Sequence, residues 1–420
     1  MDSACPVPRR ERIALVLSGG GARGAYEAGV LAGLEDVVGA RRRPMFDVFS
    51  GASVGAVNAT YLAAHADQAD HGIPELVELW SSLRLHTHLR PQPLGFLRAS
   101  ARPRQRGTRE VATGTSRWGR ALLDARPFEA MADRLVPWER LHANVSAGLV
   151  QALIVSALDI GSGKTNTFVE LAPTARCVRL PTSDPRRVTR IERITADHVL
   201  ASAALPLLFP ARRVGGSYYC DGGLRFNTPV APAIRTGAAK LVVVPLRSMQ
   251  TPMSESNVAE PFPNLVFIVG KILDALLHDP IDYDLQVLHR VNRIVDVMAE
   301  AVPAIARERI ARVVEAERGL PYRRLDTLVF RPSENIGVLA LEHLCRHGTR
   351  EASFSATFLL EKAASLGSHS SADLLSFVLF DGGFARTLIE LGRRDVHSRA
   401  AEVSAFFEET EPPPRDFASS

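Results

Sequence analysis

Gly51-Ala52-Ser53-Val54-Gly55 sets a serine between two glycines, the spacing of a nucleophile carried on a tight turn. A serine hydroxyl attacks a carbonyl only when a neighbouring base takes its proton, so such a turn must hold Oγ exposed and beside a partner. Gly51 and Gly55 would serve that turn, where strained backbone angles and close chain approach exclude larger side chains. A plain connection of small residues is the other reading of the same pentapeptide. A second stretch, Gly19-Gly20-Gly21-Ala22-Arg23-Gly24, satisfies G-x-G-x-x-G through Gly19, Gly21 and Gly24. Glycine amides at a helix N-terminus can hold a pyrophosphate. They can equally aim N–H groups at the developing charge of a tetrahedral intermediate. The dinucleotide reading calls for an acidic residue past the end of the next strand, about 20 residues on. Asp47 falls inside that predicted strand, and the strand runs straight into the serine turn, so the oxyanion-hole reading is the better one.

These residues need a scaffold that brings them together. Ile13-Ala14-Leu15-Val16-Leu17 is a continuous apolar run of the kind a strand buried on both faces shows. Apolar residues at Val30, Leu31, Leu34, Val37 and Val38 predict a helix over residues 26–38, which places the glycines at a strand-to-helix junction. Residues 46–50 read as a second strand and residues 56–64 as a closely packed helix. Two parallel strands joined by a helix expose their carboxyl ends at one sheet edge, which sets residues 19–24 beside Ser53.

Read together, Leu17-Ser18-Gly19-Gly20-Gly21-Ala22-Arg23-Gly24-Ala25-Tyr26 and Gly51-Ala52-Ser53-Val54-Gly55-Ala56-Val57-Asn58-Ala59 resemble the patatin-like phospholipase family. Asp221-Gly222-Gly223 matches that family's third signature, and the run from Ala201-Ser202-Ala203-Ala204 to Phe209-Pro210 is similar as well. The resemblance implies a mainly parallel α/β sheet sandwiched by helices over residues 12–246, with a mostly helical C-terminal extension over residues 247–420. It also implies a Ser-Asp dyad without histidine: Ser53 attacks the ester and Asp221 accepts the proton. The oxyanion would meet the amides of Gly20, Gly21 and Ala22, with Arg23 near a lipid phosphate or holding the loop. The expected substrate is an acyl lipid, and the reading calls for no metal and no cofactor. Two alternatives stand beside it. One is a Ser-His-Asp triad using His278, His289, His343, His347, His369 or His397; the other is a non-catalytic lipid-binding or scaffold protein of the same fold.

The rest of the chain carries less chemistry. With 50 basic and 46 acidic residues and a net charge of +4, the balance gives no support to a nucleic-acid partner. Cys5, Cys177, Cys220 and Cys345 are scattered without metal-ligand spacing, which fits a reducing compartment. Residues 1–11 have no apolar core of a signal peptide, and residues 264–277 are too short and too charged to span a bilayer. The expectation is a cytoplasmic protein, soluble or peripheral at the membrane. Residues 84–120 hold nine arginines against one acid, Glu110, and read either as a solvated loop or as a surface meeting anionic headgroups. Pro74 opens a predicted helix to residue 83, and residues 149–158 and 166–169 read as a hairpin. Between the hairpin strands, Gly161-Ser162-Gly163-Lys164-Thr165 imitates a phosphate loop, but the first glycine of that motif falls on Leu158. Strands are predicted at 241–245 and 325–330, a short helix at 230–236, and separate helical runs at 265–277 and 284–299. Asp381-Gly382-Gly383 repeats the Asp-Gly-Gly string; before a helical run it reads as a turn or helix cap.

Overall fold

The computed structural model describes residues 11–39, 44–68, 70–84, 90–91, 123–124, 134–175, 186–206, 209–226, 229–248, 265–347 and 369–408. Its centre is a nine-stranded sheet. Strands β1 (Ile13–Leu17) and β2 (Val48–Ala52) are buried at every residue, as the uninterrupted apolar run of β1 requires of a strand covered on both faces. They are followed by β3 (Ala152–Asp159), β4 (Thr165–Leu171), β5 (Arg187–Ile191), β6 (Arg212–Val214), β7 (Ser217–Asp221), β8 (Lys240–Val244) and β9 (Asp326–Val329). Across the sheet the order is β9-β8-β1-β2-β3-β4-β5, and the run from β9 to β3 is parallel throughout. β3 and β4 form the expected antiparallel hairpin. The turn between them is held by Asp159, whose Oδ1 accepts from the Gly161 and Ser162 amides, so the imitation phosphate loop is a hairpin turn.

Alternate side chains of the strands feed two cores. Ile13, Leu15 and Leu17 pack with α1 (Gly24–Val38), α2 (Val54–Ala64) and α3 (Gly72–Ser81). Ala14 and Val16 point the other way, toward Val230 and Ala233 of α6 (Val230–Arg235) and Leu285 and Leu288 of α7 (Leu265–Ala301). Between α3 and α6 lie α4 (Trp138–Ser146) and α5 (Ala196–Ser202). The two helical runs predicted at 265–277 and 284–299 are one helix, which continues through Pro280. A proline removes one backbone donor from a helix, but here the following turns, anchored by Leu285 and Leu288, carry the helix on.

The chain beyond residue 246 returns to the same body. β9 extends the parallel sheet beside β8. After α8 (Ala304–Arg318), α9 (Ile336–His347) and α10 (His369–Val378), helix α11 (Gly382–His397) lies on α1, and α12 (Ala400–Phe407) closes the chain. The α1–α11 crossing is so close that a Cβ at Gly29 would overlap the Ile389 carbonyl oxygen. Among the described residues no helix is long and apolar enough to cross a membrane. The arginine-rich stretch 84–120 lies outside the described residues apart from Arg84, Arg90 and Pro91.

Candidate active site

Strand β3 explains why Ser53 and Asp221 meet. One of its edges is taken by β4 along residues 152–158. The other is shared end to end: β2 pairs with residues 152–156, running parallel, and β7 pairs with residues 157–159, running antiparallel. The last pair of the first ladder is Ala52 with Ser156, and the last pair of the second is Asp221 with Ala157. The two strands therefore aim their C-terminal ends at each other, and the next residue after β2 is Ser53. Its Oγ donates to Asp221 Oδ2 at 2.6 Å.

The serine sits on a forced turn. Ser53 has φ 53° and ψ −129°, and among the described residues no other non-glycine has positive φ. Such angles cost about 1–3 kcal/mol and persist only where the surroundings over-determine them. The glycines on either side permit the required approach: a Cβ on Gly51 would overlap the Gly55 carbonyl oxygen, and one on Gly55 would stand 2.6 Å from the Leu17 carbonyl. Ser202 holds the turn from behind. Its Oγ accepts the Ser53 amide at 2.9 Å and donates to the Ser156 carbonyl at 2.6 Å, so one hydroxyl ties the turn to β3.

Asp221 is fully buried, whereas Ser53 keeps 6% of its surface. Burial pushes the Asp221 carboxyl up to about 7, against the pull of hydrogen bonds from Ser53 and from the Gly223 amide, which reaches Oδ1 at 2.7 Å. A carboxylate is thus poised to exchange a proton near neutrality. The backbone around it is fixed too, since the Asp221 amide donates to the Ala204 carbonyl at 2.9 Å. A Cβ on Gly222 would meet the Ser156 carbonyl oxygen.

The glycine-rich segment packs against the serine turn as the parallel topology requires. Gly19 and Gly20 leave β1, the residues Gly21–Arg23 form a single 3₁₀ turn, and Gly24 opens α1. Gly24 lies against the Val54 side chain, and its carbonyl accepts from Asn58 Nδ2 at 3.2 Å. Behind the segment a buried chain of polar groups joins the elements. Trp80 Nε1 donates to Asn58 Oδ1, Asn58 Nδ2 donates to Glu27 Oε2, and Glu27 Oε1 accepts the Ser18 amide. Burial drives the Glu27 carboxyl well above its ordinary range, and the two N–H donors oppose it. Arg23 holds the loop: its guanidinium is engaged by Asp373 and Ser376 of α10.

The residues set aside or offered only as alternatives in the sequence lie elsewhere. Asp47 stands before β2 at the far end of the strands, where Oδ2 accepts the Ile13 amide at 2.8 Å, so it cannot serve a ligand on the glycine segment. Asp381 is the N-cap of α11, accepting from the Gly383 and Phe384 amides and pairing with His343 at 2.9 Å. The other described histidines offered as bases are also occupied or remote: His397 pairs with Asp36, His347 packs tilted against His343, and His289 is exposed on α7. Among the described residues the partners of the Asp221 carboxylate are Ser53 and Gly223, and no histidine contacts it. The side chains of His278 and His369 lie outside the described residues. Sequence reading assigned no role to Ser202, Glu27, Asn58, Asp373 or Ser376. An acid in the apolar first turns of α1 was the one available signal for Glu27; Asn58 and Ser202 lay in segments that resemble the family, and nothing local marked Asp373 or Ser376.

The chain is similar to known proteins in three respects. The family model described as patatin-like phospholipase matches residues 15–234. A cGAMP-activated phospholipase of Pseudomonas aeruginosa is 27% identical over 215 residues, which is 51% of this chain and 53% of that protein. The chain thus spans about half the length of that curated relative. Among solved structures, VipD of Legionella pneumophila aligns over 96% of this chain and 89% of that chain, at 13% identity and a TM-score of 0.31.

Proposed function

Since this chain belongs to the patatin-like phospholipase family, we propose that it is a serine lipid acyl hydrolase working through a Ser53–Asp221 dyad. The single observation that carries the proposal is the 2.6 Å hydrogen bond from Ser53 Oγ to a fully buried Asp221 whose carboxyl is pushed up to about 7. In the first step Ser53 Oγ attacks the ester carbonyl and its proton passes to Asp221 Oδ2. The carbonyl oxygen takes the negative charge and is met by amides of the segment Gly19, Gly20, Gly21, Ala22, Arg23 and Gly24, of which Gly20, Gly21 and Ala22 are the proposed donors. Loss of one such donor typically costs about 2.7–4 kcal/mol of transition-state stabilisation. Collapse of the intermediate expels the alcohol, which takes the proton from Asp221, and leaves an acyl group on Ser53. Water then gives a proton to Asp221, attacks the acyl carbon and releases the fatty acid, and the proton returns to Ser53.

The substrate is an acyl lipid, of the phospholipase A, lysophospholipase or esterase type. Peripheral contact with an anionic membrane surface is part of the same proposal, as is a cytoplasmic site of action. Activation by cGAMP is a property of the Pseudomonas relative by its name and is not extended to this chain. The test is fluorophosphonate labelling and ester hydrolysis by the wild type, Ser53→Ala and Asp221→Asn. Both variants are expected to lose hydrolysis, and Ser53→Ala to lose labelling completely. Comparable labelling of all three proteins would sink the dyad; loss of labelling on replacing one histidine in a folded protein would favour a triad.

A further inference from the structure

Arg23 closes the glycine-rich turn, and its side chain reaches to the far end of the sequence. Nε donates to Ser376 Oγ at 2.7 Å, and Nη2 donates to the Asp373 carbonyl at 3.2 Å and to its carboxylate at 3.3 Å. The Phe377 ring lies under the guanidinium at 4.0 Å from its centroid. The grip is built in detail. The Ser376 hydroxyl accepts from Arg23 and also donates to the Asp373 carbonyl at 2.6 Å, which fixes its proton. The Arg23 side chain is only 4% exposed, and a guanidinium cannot discharge itself by losing a proton. Parting it from its partners would strand a buried charge, so the glycine turn must follow helix α10.

A second contact joins the same two pieces through the backbone. Gly21, at φ 57°, lies so close to the end of α10 that a Cβ there would overlap the Phe377 carbonyl oxygen. Phe377 also packs with Leu205, which follows the Ser202 segment, and Leu224, after Asp221, packs against that pair. Helix α10 therefore touches the glycine turn and the segment behind the serine, and the cluster it forms there meets the segment after the aspartate.

We propose that Asp373 and Ser376 are positioning residues that hold the glycine-rich turn in its oxyanion-binding geometry through Arg23, making the C-terminal segment a working part of the active site. This rests on the serine hydrolase reading above. It opposes the other role a helix in this place could have, that of a plug whose release raises activity. A guanidinium only 4% exposed, held by a carboxylate that is 22% exposed, suits a permanent support, since parting it from its partners would leave the cation buried and unpaired.

The test compares full-length wild type, Ser376→Ala, Asp373→Asn and Ser376→Thr, with Ser53→Ala as the blank. Hydrolysis of a soluble p-nitrophenyl ester and the rate of fluorophosphonate labelling are measured, and urea unfolding reports the folded fraction. Ser376→Ala and Asp373→Asn are expected to lower kcat and labelling rate about 10- to 100-fold, the scale of a displaced catalytic group, with KM changed less than about twofold. Ser376→Thr, which keeps the hydroxyl, restores most of the rate. The rise of kcat with pH stays centred near about 7 in each active variant, because the surroundings of Asp221 are untouched. Wild-type kcat in both weakened variants, a rise in kcat, or a loss that only tracks the folded fraction overturns the proposal. A wild type that neither labels nor hydrolyses removes the hydrolase reading, and this inference with it; an active wild type with indifferent Asp373 and Ser376 removes the inference alone.

Discussion

Replacing Asp221 by asparagine should change how stability depends on pH, as well as abolish hydrolysis. The native carboxyl is raised from an ordinary 3.8 to about 7, chiefly by complete burial. Below about pH 3.8 the native and unfolded chains both carry the proton, and the group has no linkage effect. Between 3.8 and about 7 the unfolded chain has released the proton and the native chain keeps it, so native stability falls as pH rises. Above about 7 both are ionised and the penalty is constant. At about 1.36 kcal/mol per pH unit, the full penalty is about 4 kcal/mol. The substituted amide does not titrate, and whatever its altered hydrogen bonds to Ser53 and Gly223 cost is nearly independent of pH. The stability of Asp221→Asn minus that of wild type should therefore climb by about 4 kcal/mol between about pH 4 and about pH 8. Urea unfolding of both proteins at a series of pH values reads this difference directly, with all other titrating groups cancelling. In the wild type, kcat for a soluble ester should rise through the same pH as the base form appears. A difference in stability that stays flat across the window, or that falls with pH, would refute the buried-base argument whatever the activity.

Three further outcomes follow from the same geometry. Ser53→Gly should be more stable than Ser53→Ala by about 1 kcal/mol or more, with labelling lost in both, because both remove the hydrogen bond to Asp221 but only glycine adopts φ 53° without strain; equal stability of the two in chemical unfolding would contradict the strained turn. Gly55→Ala should lower stability by about 1–3 kcal/mol and cut hydrolysis together, since the new methyl meets the Leu17 backbone, which cannot swing aside as a flexible side chain could; wild-type melting and kcat would show the contact to be soft. Asp381→Ala should keep its labelling rate and lose about 1 kcal/mol of cap stability. The Asp381 carboxyl is held down to about 2, first by the hydrogen bond from His343. Its contribution is thus present above its ordinary 3.8 and lost as pH falls through about 2, so the variant should match wild type only in strong acid.

What could be read from the sequence, and what could not, follows from how far along the chain each feature reaches. The serine turn, the glycine segment and Asp381 are local devices: a backbone that must bend sharply or approach closely writes glycines at fixed offsets, and a cap writes an acid before a helix. The strands β1, β2 and β8 were legible for a related reason, since a strand covered on both faces is mostly apolar: β1 is so throughout, and β2 and β8 carry apolar runs beside one buried polar residue each, Ser50 and Lys240. The end-to-end docking of β2 and β7 on one edge of β3 was not legible. Strand pairing depends on partners 60 to 104 residues apart, and nothing in Tyr218-Tyr219-Cys220-Asp221 says that this strand runs against the direction of β2. Resemblance put Asp221 opposite Ser53; the antiparallel turn of β7 gives that meeting its physical cause. The C-terminal segment shows the same limit more sharply. Asp373 and Ser376 sit in an ordinary helical run whose own pattern predicts no more than packing, and their importance comes from one buried cation 350 residues away. A domain boundary drawn where the motifs stop at residue 246 therefore separates Arg23 from the groups that hold it, and a protein cut there would keep Ser53, Asp221 and every glycine of the motifs while losing the support on which the glycine turn rests.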